Sequence, residues 1–114
     1  MGTDLADSNF KEIVLWLLRL RRRFAITGAS MFPLLKEGDE VLVDVRAYRR
    51  QLPQVGEIVA AHHPTQAGVT VVKRITAVHP HHTFQLQGDN AAASTNFDQV
   101  TAVQIIGRVT SRFG

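Results

Sequence analysis

The sequence predicts a mainly β protein: a compact, antiparallel, barrel-like fold with one α-helix at its N terminus. Three observations support this fold class. Beyond residue 23, turn-forming glycines and prolines recur at short intervals, with short apolar runs between them. One run, residues 69–78 (VTVVKRITAV), is rich in β-branched residues and is typical of a strand. Near the N terminus, residues 10–21 place apolar side chains at helical spacing.

Length and composition indicate one domain with one core. The chain has 114 residues, 45% of them hydrophobic. We divide it into an N-terminal amphipathic helix, residues 1–23, and a β domain, residues 24–114. The absence of cysteine excludes disulfides, thiolate metal sites and cysteine nucleophiles. Much of the positive charge lies at Arg19 and Arg21–Arg23, which we expect to form a solvated helix C terminus. No nucleic-acid-binding signature accompanies it, so we do not expect a nucleic acid partner.

The helix is predicted over residues 10–21, after a polar and frayed segment, residues 1–8. Asn9 followed by Glu12 predicts a capping box at its start. One apolar face has helical spacing, and further apolar residues lie off that face. The face comprises Phe10, Ile13, Val14, Leu17 and Leu18, and the residues off it are Leu15, Trp16 and Leu20.

Three interpretations of this helix remain open. It is a core helix, a surface for a partner or second subunit, or a helix lying in a membrane interface, anchored by Trp16 and the arginines. Its uninterrupted apolar run, residues 13–18, is far shorter than the roughly 20 residues that span a bilayer. The arginines follow the apolar run, which is the wrong order for a secretory signal.

Six strands are predicted between the turn signals. Gly38-Asp39, Pro53, Gly56, Pro64 to Gly68, Pro80 and Gly88 separate them. The predicted strands are residues 24–28, 40–45, 57–62, 69–78, 83–87 and 104–111.

Ser30 and Lys73 are the candidate reactive residues. Ser30 follows Gly28-Ala29 at the end of a strand, where small neighbours leave its hydroxyl accessible, although an ordinary loop serine has the same setting. Alternation along the strand places Lys73 on the apolar face of residues 69–78. Burial there disfavours the ammonium and lowers the pKa, so that the neutral amine can act as a base. The alternatives are a lysine that guards a sheet edge, or one that extends its amine to solvent.

Other polar residues have weaker patterns. His62-His63 and residues 79–82 (HPHH) flank the Lys73 strand, but their spacing matches no metal site, so we predict neither a metal nor a cofactor. Asp39 and Asp44 are candidates for a third catalytic residue, although acidic residues at strand ends usually form turns.

Several sequence blocks occur in a fixed order along the chain: residues 28–33 (GASMFP), Gly38-Asp39 with the strand after it, residues 72–75 (VKRI), residues 88–90 (GDN) with Ser94, and residues 106–109 (IGRV). In this order they resemble type I signal peptidases, from about residue 22 to residue 112. The chain is similar in particular to the small relatives that mature nickel-type superoxide dismutase and lack a true transmembrane anchor.

The resemblance implies a signal-peptidase-like β catalytic domain and a serine endopeptidase without a cofactor. Ser30 would be the nucleophile, Lys73 the general base, and Ser94 the residue that holds the lysine amine. The partner would be a precursor protein, the leader-bearing nickel superoxide dismutase. The cleavage would occur in the cytoplasm, with the helix free for self-association or peripheral membrane contact. We expect an extended substrate to pair with the strand edge at residues 24–27. The predicted substrate-binding residues are Phe24, Ile26, Gly28 and Met31.

The sequence departs from the signal peptidase pattern at three places. Leu34 stands where a threonine is usual, and residues 96–98 (NFD) stand where an Asp-Ser-Arg run supplies an ion pair. Gly28 occupies the place of a serine that contributes a hydroxyl to the oxyanion hole in some signal peptidases, so backbone N–H groups, including that of Ser30, would have to form the hole here. Two other functions remain open: a self-cleaving repressor-type Ser/Lys protease that cuts within residues 1–23, and a non-catalytic β module that binds peptides.

Overall fold

The computed structural model describes residue 5 and residues 7–113. In this part of the chain one α-helix precedes seven strands, which confirms the mainly β fold with an N-terminal helix. The helix is α1, Phe10–Leu17. The strands are β1 Arg22–Ala25, β2 Glu40–Asp44, β3 Ile58–His62, β4 Thr70–His79, β5 Thr83–Gln87, β6 Phe97–Thr101 and β7 Ile105–Phe113.

The strands form one antiparallel sheet in the order β1-β2-β7-β3-β4-β5-β6. The sheet curls into a half-barrel. The register shifts in four of the strand pairs, for example between Ala60 and Ala61 and between Ile75 and Ala77. Such irregularities bend and twist a sheet, which lets distant strands approach each other.

Two apolar clusters fill the sheet on either side of β3. Ile58 and Ala60 belong to the first cluster and Val59 and Ala61 to the second, so β3 is buried on both faces. The first cluster also contains three buried residues of the loop between β1 and β2. These are Ile26, Met31 and Leu35. That loop, which carries Ser30, is therefore attached to the core along its length.

Most predicted strands are present, with shifted ends. The first is observed at Arg22–Ala25 instead of residues 24–28, and the helix before it ends at Leu17. The sequence reasoning missed β6, Phe97–Thr101, which alternates weakly and places only Phe97 and Val100 against the core. The final strand extends to Phe113, two residues beyond its predicted end.

The predicted helix end at residue 21 is wrong. Asn9 caps the helix by accepting the Glu12 N–H at 2.9 Å, as predicted. At the other end Arg19 has a φ of 63°, and the N–H groups of Arg19 and Leu20 bond the carbonyls of Trp16 and Leu15. This is a Schellman ending, with arginine where glycine is usual.

Glu12 does not complete a capping box and contacts the sheet instead. Its carboxylate accepts hydrogen bonds from Thr110 and Ser111 of β7 and pairs with Arg21 at 3.4 Å. Burial by itself would raise the pKa of Glu12, but the hydrogen bond from Thr110 and the charge of Arg21, with smaller contributions, lower it overall. Arg21 also lies 3.7 Å from Asp44, and its Nε is buried without a hydrogen bond. The expectation of a wholly solvated arginine cluster is therefore wrong for Arg21.

The core-helix interpretation is also wrong, because α1 has no buried residue. The predicted fraying does not hold for the two residues before Asn9. Asp7 pairs with Arg112 at 3.0 Å, and the Ser8 N–H donates to the Arg112 carbonyl at 2.9 Å. The other described member of that segment, Leu5, packs on the first cluster, whereas residues 1–4 and 6 lie outside the described residues. Within the described chain, no helix has the length and apolar character to cross a membrane.

Candidate active site

Ser30 and Lys73 line the same cavity, of about 170 Å³. One wall comes from the end of β1 and the loop after it, and the other from the start of β4. Three strands separate β1 from β4 in the sheet order, so the curl of the sheet brings these walls together. The lining residues are Ala25, Ile26, Thr27, Ser30, Met31, Val69, Thr70, Val71, Val72 and Lys73.

The Ser30 turn is held by the loop after β5. The Asn90 N–H donates to the Ser30 carbonyl at 2.8 Å, and its side-chain amide donates to the Ala29 carbonyl at 3.0 Å. The Asp89 N–H contacts the sulfur of buried Met31 at 3.4 Å. The two peptide groups that flank the Cα of Ser30 are thus both hydrogen bonded to Asn90, which fixes the position of the candidate nucleophile.

The hydroxyl and the backbone N–H of Ser30 are available to a substrate. Among the described residues, neither its hydroxyl nor its backbone N–H has a hydrogen-bond partner. The side chain is half-buried at the cavity wall. A substrate carbonyl could therefore meet both an accessible hydroxyl and an uncommitted N–H donor at this residue.

Lys73 is buried, with 5% of its surface exposed. It shares its face of β4 with buried Ile75, as alternation predicts. Burial lowers the pKa of the amine from its ordinary value. The Phe97 ring lies 5.8 Å from the amine, and within residue 5 and residues 7–113 no carboxylate pairs with it. The residue therefore has the environment that favours a neutral amine.

Ser94 holds the Lys73 amine. The Nζ of Lys73 donates to Ser94 Oγ at 3.0 Å, and the Gly88 N–H donates to the same oxygen at 2.8 Å. The Ser94 hydroxyl donates in turn to the Thr95 carbonyl, at 3.4 Å. Both acceptor positions of the hydroxyl are then directed at Gly88 and Lys73, which orients the lysine side chain.

No hydrogen bond joins Ser30 to Lys73 in this structure. Gly88 shows how near the two supports lie: a Cβ placed on it would be 2.5 Å from the Ser30 carbonyl oxygen and 2.4 Å from Ser94 Oγ. The Ser30 carbonyl and the Ser94 hydroxyl, which binds Lys73, therefore both pack against Gly88. Hydrogen bonds between catalytic groups are often long before substrate binds and tighten in the complex.

The four predicted substrate-binding residues separate into two pairs. Ile26 and Met31 line the cavity. Phe24 does not, because its partly buried ring packs on the first cluster and under the Arg22 guanidinium, 4.9 Å away. Gly28 is exposed with a φ of 79° and lies outside the lining as well.

A comparison with protein families decides the class of the protein. The family described as signal peptidase, peptidase S26, matches residues 12–90. The chain belongs to this family. It is accordingly a serine peptidase of the signal-peptidase type. No curated protein and no solved structure matches the chain significantly.

The match to the signal peptidase family contains Ser30, Lys73 and residues 88–90, whereas Ser94 lies just beyond its end. Sequence reasoning quoted the block at residues 88–90 but gave its members no role. The Asn90 N–H is hydrogen bonded to the Ser30 carbonyl. Asp89 forms a bidentate ion pair with Arg74, with both contacts at 2.8 Å. The signal was present, since Gly-Asp-Asn is turn chemistry directly after a strand.

Residues 96–98, which depart from the Asp-Ser-Arg run of signal peptidases, make different contacts from the ion pair expected of that run. Asp98 accepts a hydrogen bond from the Gln85 amide at 3.1 Å and forms no ion pair in the described chain. The Phe97 ring is near the Lys73 amine and also packs edge-on against the His63 ring, with 5.0 Å between the two ring centroids. An aromatic ring thus adjoins the amine in this signal peptidase relative, a contact that sequence reasoning did not anticipate.

The remaining candidates have structural contacts. Asp39 accepts the Lys36 N–H at 2.9 Å, and Asp44 accepts the Arg46 N–H at 2.9 Å, as turn-forming residues do. Neither lines the cavity. The His63 ring accepts N–H groups of Thr65 and Gln66. In the part of the chain described, no three His, Asp or Glu residues are arranged to hold a metal ion.

Proposed function

We propose that this signal peptidase relative is a serine endopeptidase with a Ser30–Lys73 dyad that removes the N-terminal leader of a precursor protein. The supporting observation is the shared cavity, in which an accessible serine lies with a buried lysine of lowered pKa. A lysine can serve as a general base only when its amine is neutral, and burial favours that form.

The contacts of Ser94 support the assignment of the base. A neutral amine has two N–H bonds and one lone pair. Because one N–H of Lys73 is donated to Ser94, the lone pair remains available to accept a proton. Ser30 lines the same cavity, and the proposal requires that the Lys73 amine and the Ser30 hydroxyl come within hydrogen-bond distance when the substrate binds. Ser94 is thus a positioning residue that acts through Lys73.

The proposed reaction is acyl transfer through Ser30. Lys73 takes the hydroxyl proton as Ser30 Oγ attacks the scissile carbonyl, and the Ser30 N–H stabilises the oxyanion. Lys73 then returns the proton to the leaving amine, which departs as the new N terminus. Water, activated by the same amine, attacks the acyl-enzyme and releases the leader.

The edge of the sheet offers a place for an extended substrate. β1 is the outermost strand on its side, bonded only to β2 in the order of the sheet. Its end, with Ile26 and Thr27, forms part of the cavity wall. A substrate strand added there would carry its backbone carbonyl toward Ser30.

We further propose that the substrate is the leader of a nickel superoxide dismutase precursor, removed in the cytoplasm to expose a terminal nickel ligand. The support is the resemblance of the ordered sequence blocks to the small maturation proteases. Self-cleavage is less well supported, because the segment before Ser30 is bound to the sheet. Ser8 bonds β7, and Arg22–Ala25 pairs with β2.

The deciding experiment incubates the protein with a leader-bearing precursor and identifies the new N terminus by mass spectrometry. We expect a single cut, lost in Ser30→Ala and Lys73→Arg and retained in the control Lys36→Arg. A guanidinium does not release its proton near neutral pH, so Lys73→Arg removes the base. Cleavage at the wild-type rate by Lys73→Arg would refute the dyad. Cleavage of a signal-peptide substrate without cleavage of the dismutase precursor would refute only the named substrate.

A further inference from the structure

Helix α1 directs its apolar face to solvent. Four large side chains of that face are exposed: Phe10 (82%), Leu17 (68%), Leu18 (63%) and Ile13 (36%). Phe10, Ile13 and Leu17 follow the spacing of one helical face, and Leu18 extends it at the end of the helix. A contiguous apolar surface of this kind usually marks a site of association.

The opposite face of α1 holds the helix on the sheet. Glu12 is hydrogen bonded to Thr110 and Ser111. Trp16 packs edge-on against Phe113, with 6.2 Å between ring centroids, and the Arg23 guanidinium lies 5.0 Å from the Trp16 ring. Turning the apolar face inward would break these polar contacts. The outward orientation is therefore a property of how the helix is attached.

The charge around the apolar face is positive. Lys11 and Arg19 are exposed beside it, and within the described residues neither side chain has an ion pair or a hydrogen bond. Glu12, the one carboxylate in α1, points to the sheet, where it is hydrogen bonded to Ser111 and paired with Arg21. Exposed apolar residues flanked by unpaired cations are the pattern of a helix that lies in an anionic membrane interface.

We propose that α1 binds flat on an anionic lipid bilayer, with Phe10, Ile13, Leu17 and Leu18 inserted among the acyl chains. Lys11 and Arg19 would contact the lipid phosphates. Trp16, which the sequence suggested as the anchor, is occupied by Phe113 and Arg23 and takes no part. A second copy of the chain fits less well, since a two-fold contact through this face would set unpaired cations near each other without carboxylates between them.

The test is flotation of the full chain with vesicles of equal parts phosphatidylcholine and phosphatidylglycerol, compared with pure phosphatidylcholine. We expect binding to the anionic vesicles that added salt weakens. Leu17→Asp should weaken it at least about tenfold, because one inserted leucine is replaced by a charge that lipid phosphates repel. Arg19→Gln should weaken it by roughly fivefold, about the contribution of one cation near an anionic surface.

Val103→Asp is the matched control, because Val103 is 78% exposed and lies outside α1. It adds the same negative charge and should weaken binding less than Leu17→Asp does. Circular dichroism verifies folding, and Phe10→Gln replaces Leu17→Asp if the latter is unfolded. The proposal fails if the wild-type chain does not float with anionic vesicles, or if Leu17→Asp floats as well as Val103→Asp. It also fails if sedimentation shows a dimer that Leu17→Asp dissociates, which would make this face a subunit interface.

Discussion

Lys73 donates a hydrogen bond of 3.0 Å to Ser94, and Ser94 accepts a second from the Gly88 N–H. Two residues beyond Gly88, Asn90 bonds the carbonyls of Ala29 and Ser30. The loop after β5 therefore contacts both the proposed base and the turn of the proposed nucleophile. Substitutions in this loop should change catalysis more than they change stability.

The rate of cleavage should rise with pH. Burial lowers the pKa of Lys73, and only the neutral amine accepts a proton, so kcat/KM should increase through an apparent pKa below the ordinary lysine value of about 10.4. Folding stability should also rise with pH between the folded and unfolded pKa values, because the unfolded chain binds more protons there. Lys73→Met should abolish activity and remove that rise. A pH-independent rate over the whole range would contradict the prediction.

Ser94→Ala should lower kcat with little change in KM. The variant removes the acceptor for the Lys73 amine and leaves the Gly88 N–H unpaired, and losses of this kind correspond to about 10- to 100-fold in rate. Steady-state kinetics at several pH values test it, because a positioning role predicts a changed pH profile. Ser94→Thr, which keeps the hydroxyl, should retain more activity. Equal loss in both variants would argue for a purely steric effect.

Gly88→Ala should inactivate the protein through a local collision. Its Cβ would lie 2.4 Å from Ser94 Oγ and 2.5 Å from the Ser30 carbonyl oxygen, so both must move. We expect at least about a 100-fold loss in kcat/KM, since small displacements of reacting groups have effects of that size. Gly56→Ala is the control, with a φ of 96° but open space around the new methyl. It should cost about 1–2 kcal/mol of stability, because a residue with a Cβ is strained at positive φ, and should leave activity nearly intact. Similar activity in the two variants would refute the collision.

Asn90→Asp should be more harmful than Asn90→Ala. The alanine variant loses one hydrogen bond to the Ala29 carbonyl, and we expect about a tenfold loss in kcat/KM. Aspartate adds repulsion between its carboxylate and that carbonyl, and so displaces the turn further. Asn96→Asp, an exposed change in the neighbouring loop, controls for the added charge. Kinetics of the three variants, with thermal unfolding, decide the order, and a harmless Asn90→Asp would exclude this role.

Glu12→Gln should destabilise the fold at neutral pH. The pKa of Glu12 is lowered in the folded state, so its ionised form stabilises the fold above the unfolded value of about 4.3 and loses this contribution as the pH falls through the folded pKa. Removing its charge leaves Arg21 with Asp44 alone, at a cost of about 2 kcal/mol. Urea unfolding at pH 7 and in acid measures this, with exposed Glu37→Gln as control. The difference between Glu12→Gln and wild type should shrink in acid; a constant difference would contradict the linkage.

Part of the fold could be predicted because its signals are local. The β-branched run at residues 69–78 corresponds to β4, and alternation placed Lys73 on its buried face. Asn9 caps the helix as its residue type suggests. β6 was missed because a short edge strand buries too few residues to show a period of two.

The helix shows where local signals mislead. Its apolar periodicity identified one face correctly but implied nothing about which side the sheet would accept. Contacts of Glu12 with β7 and of Trp16 with Phe113 join residues about a hundred positions apart, and these long-range contacts turned the apolar face outward. Arg21, which the sequence placed at the end of the helix, lies beyond its observed end at Leu17 and pairs with Glu12 and Asp44.

By itself the sequence determined the strand-rich fold, the accessible turn at Ser30 and the apolar face around Lys73, because each depends on residues near one another along the chain. Only the tertiary structure decided that Ser30 and Lys73 line one cavity, that Ser94 holds the Lys73 amine, and that the apolar face of α1 is exposed to solvent. Those relationships depend on the curl of the sheet, which brings β1 and β4 together across three intervening strands. Such closure arises from register shifts and packing summed over the whole sheet, and no short stretch of sequence contains it.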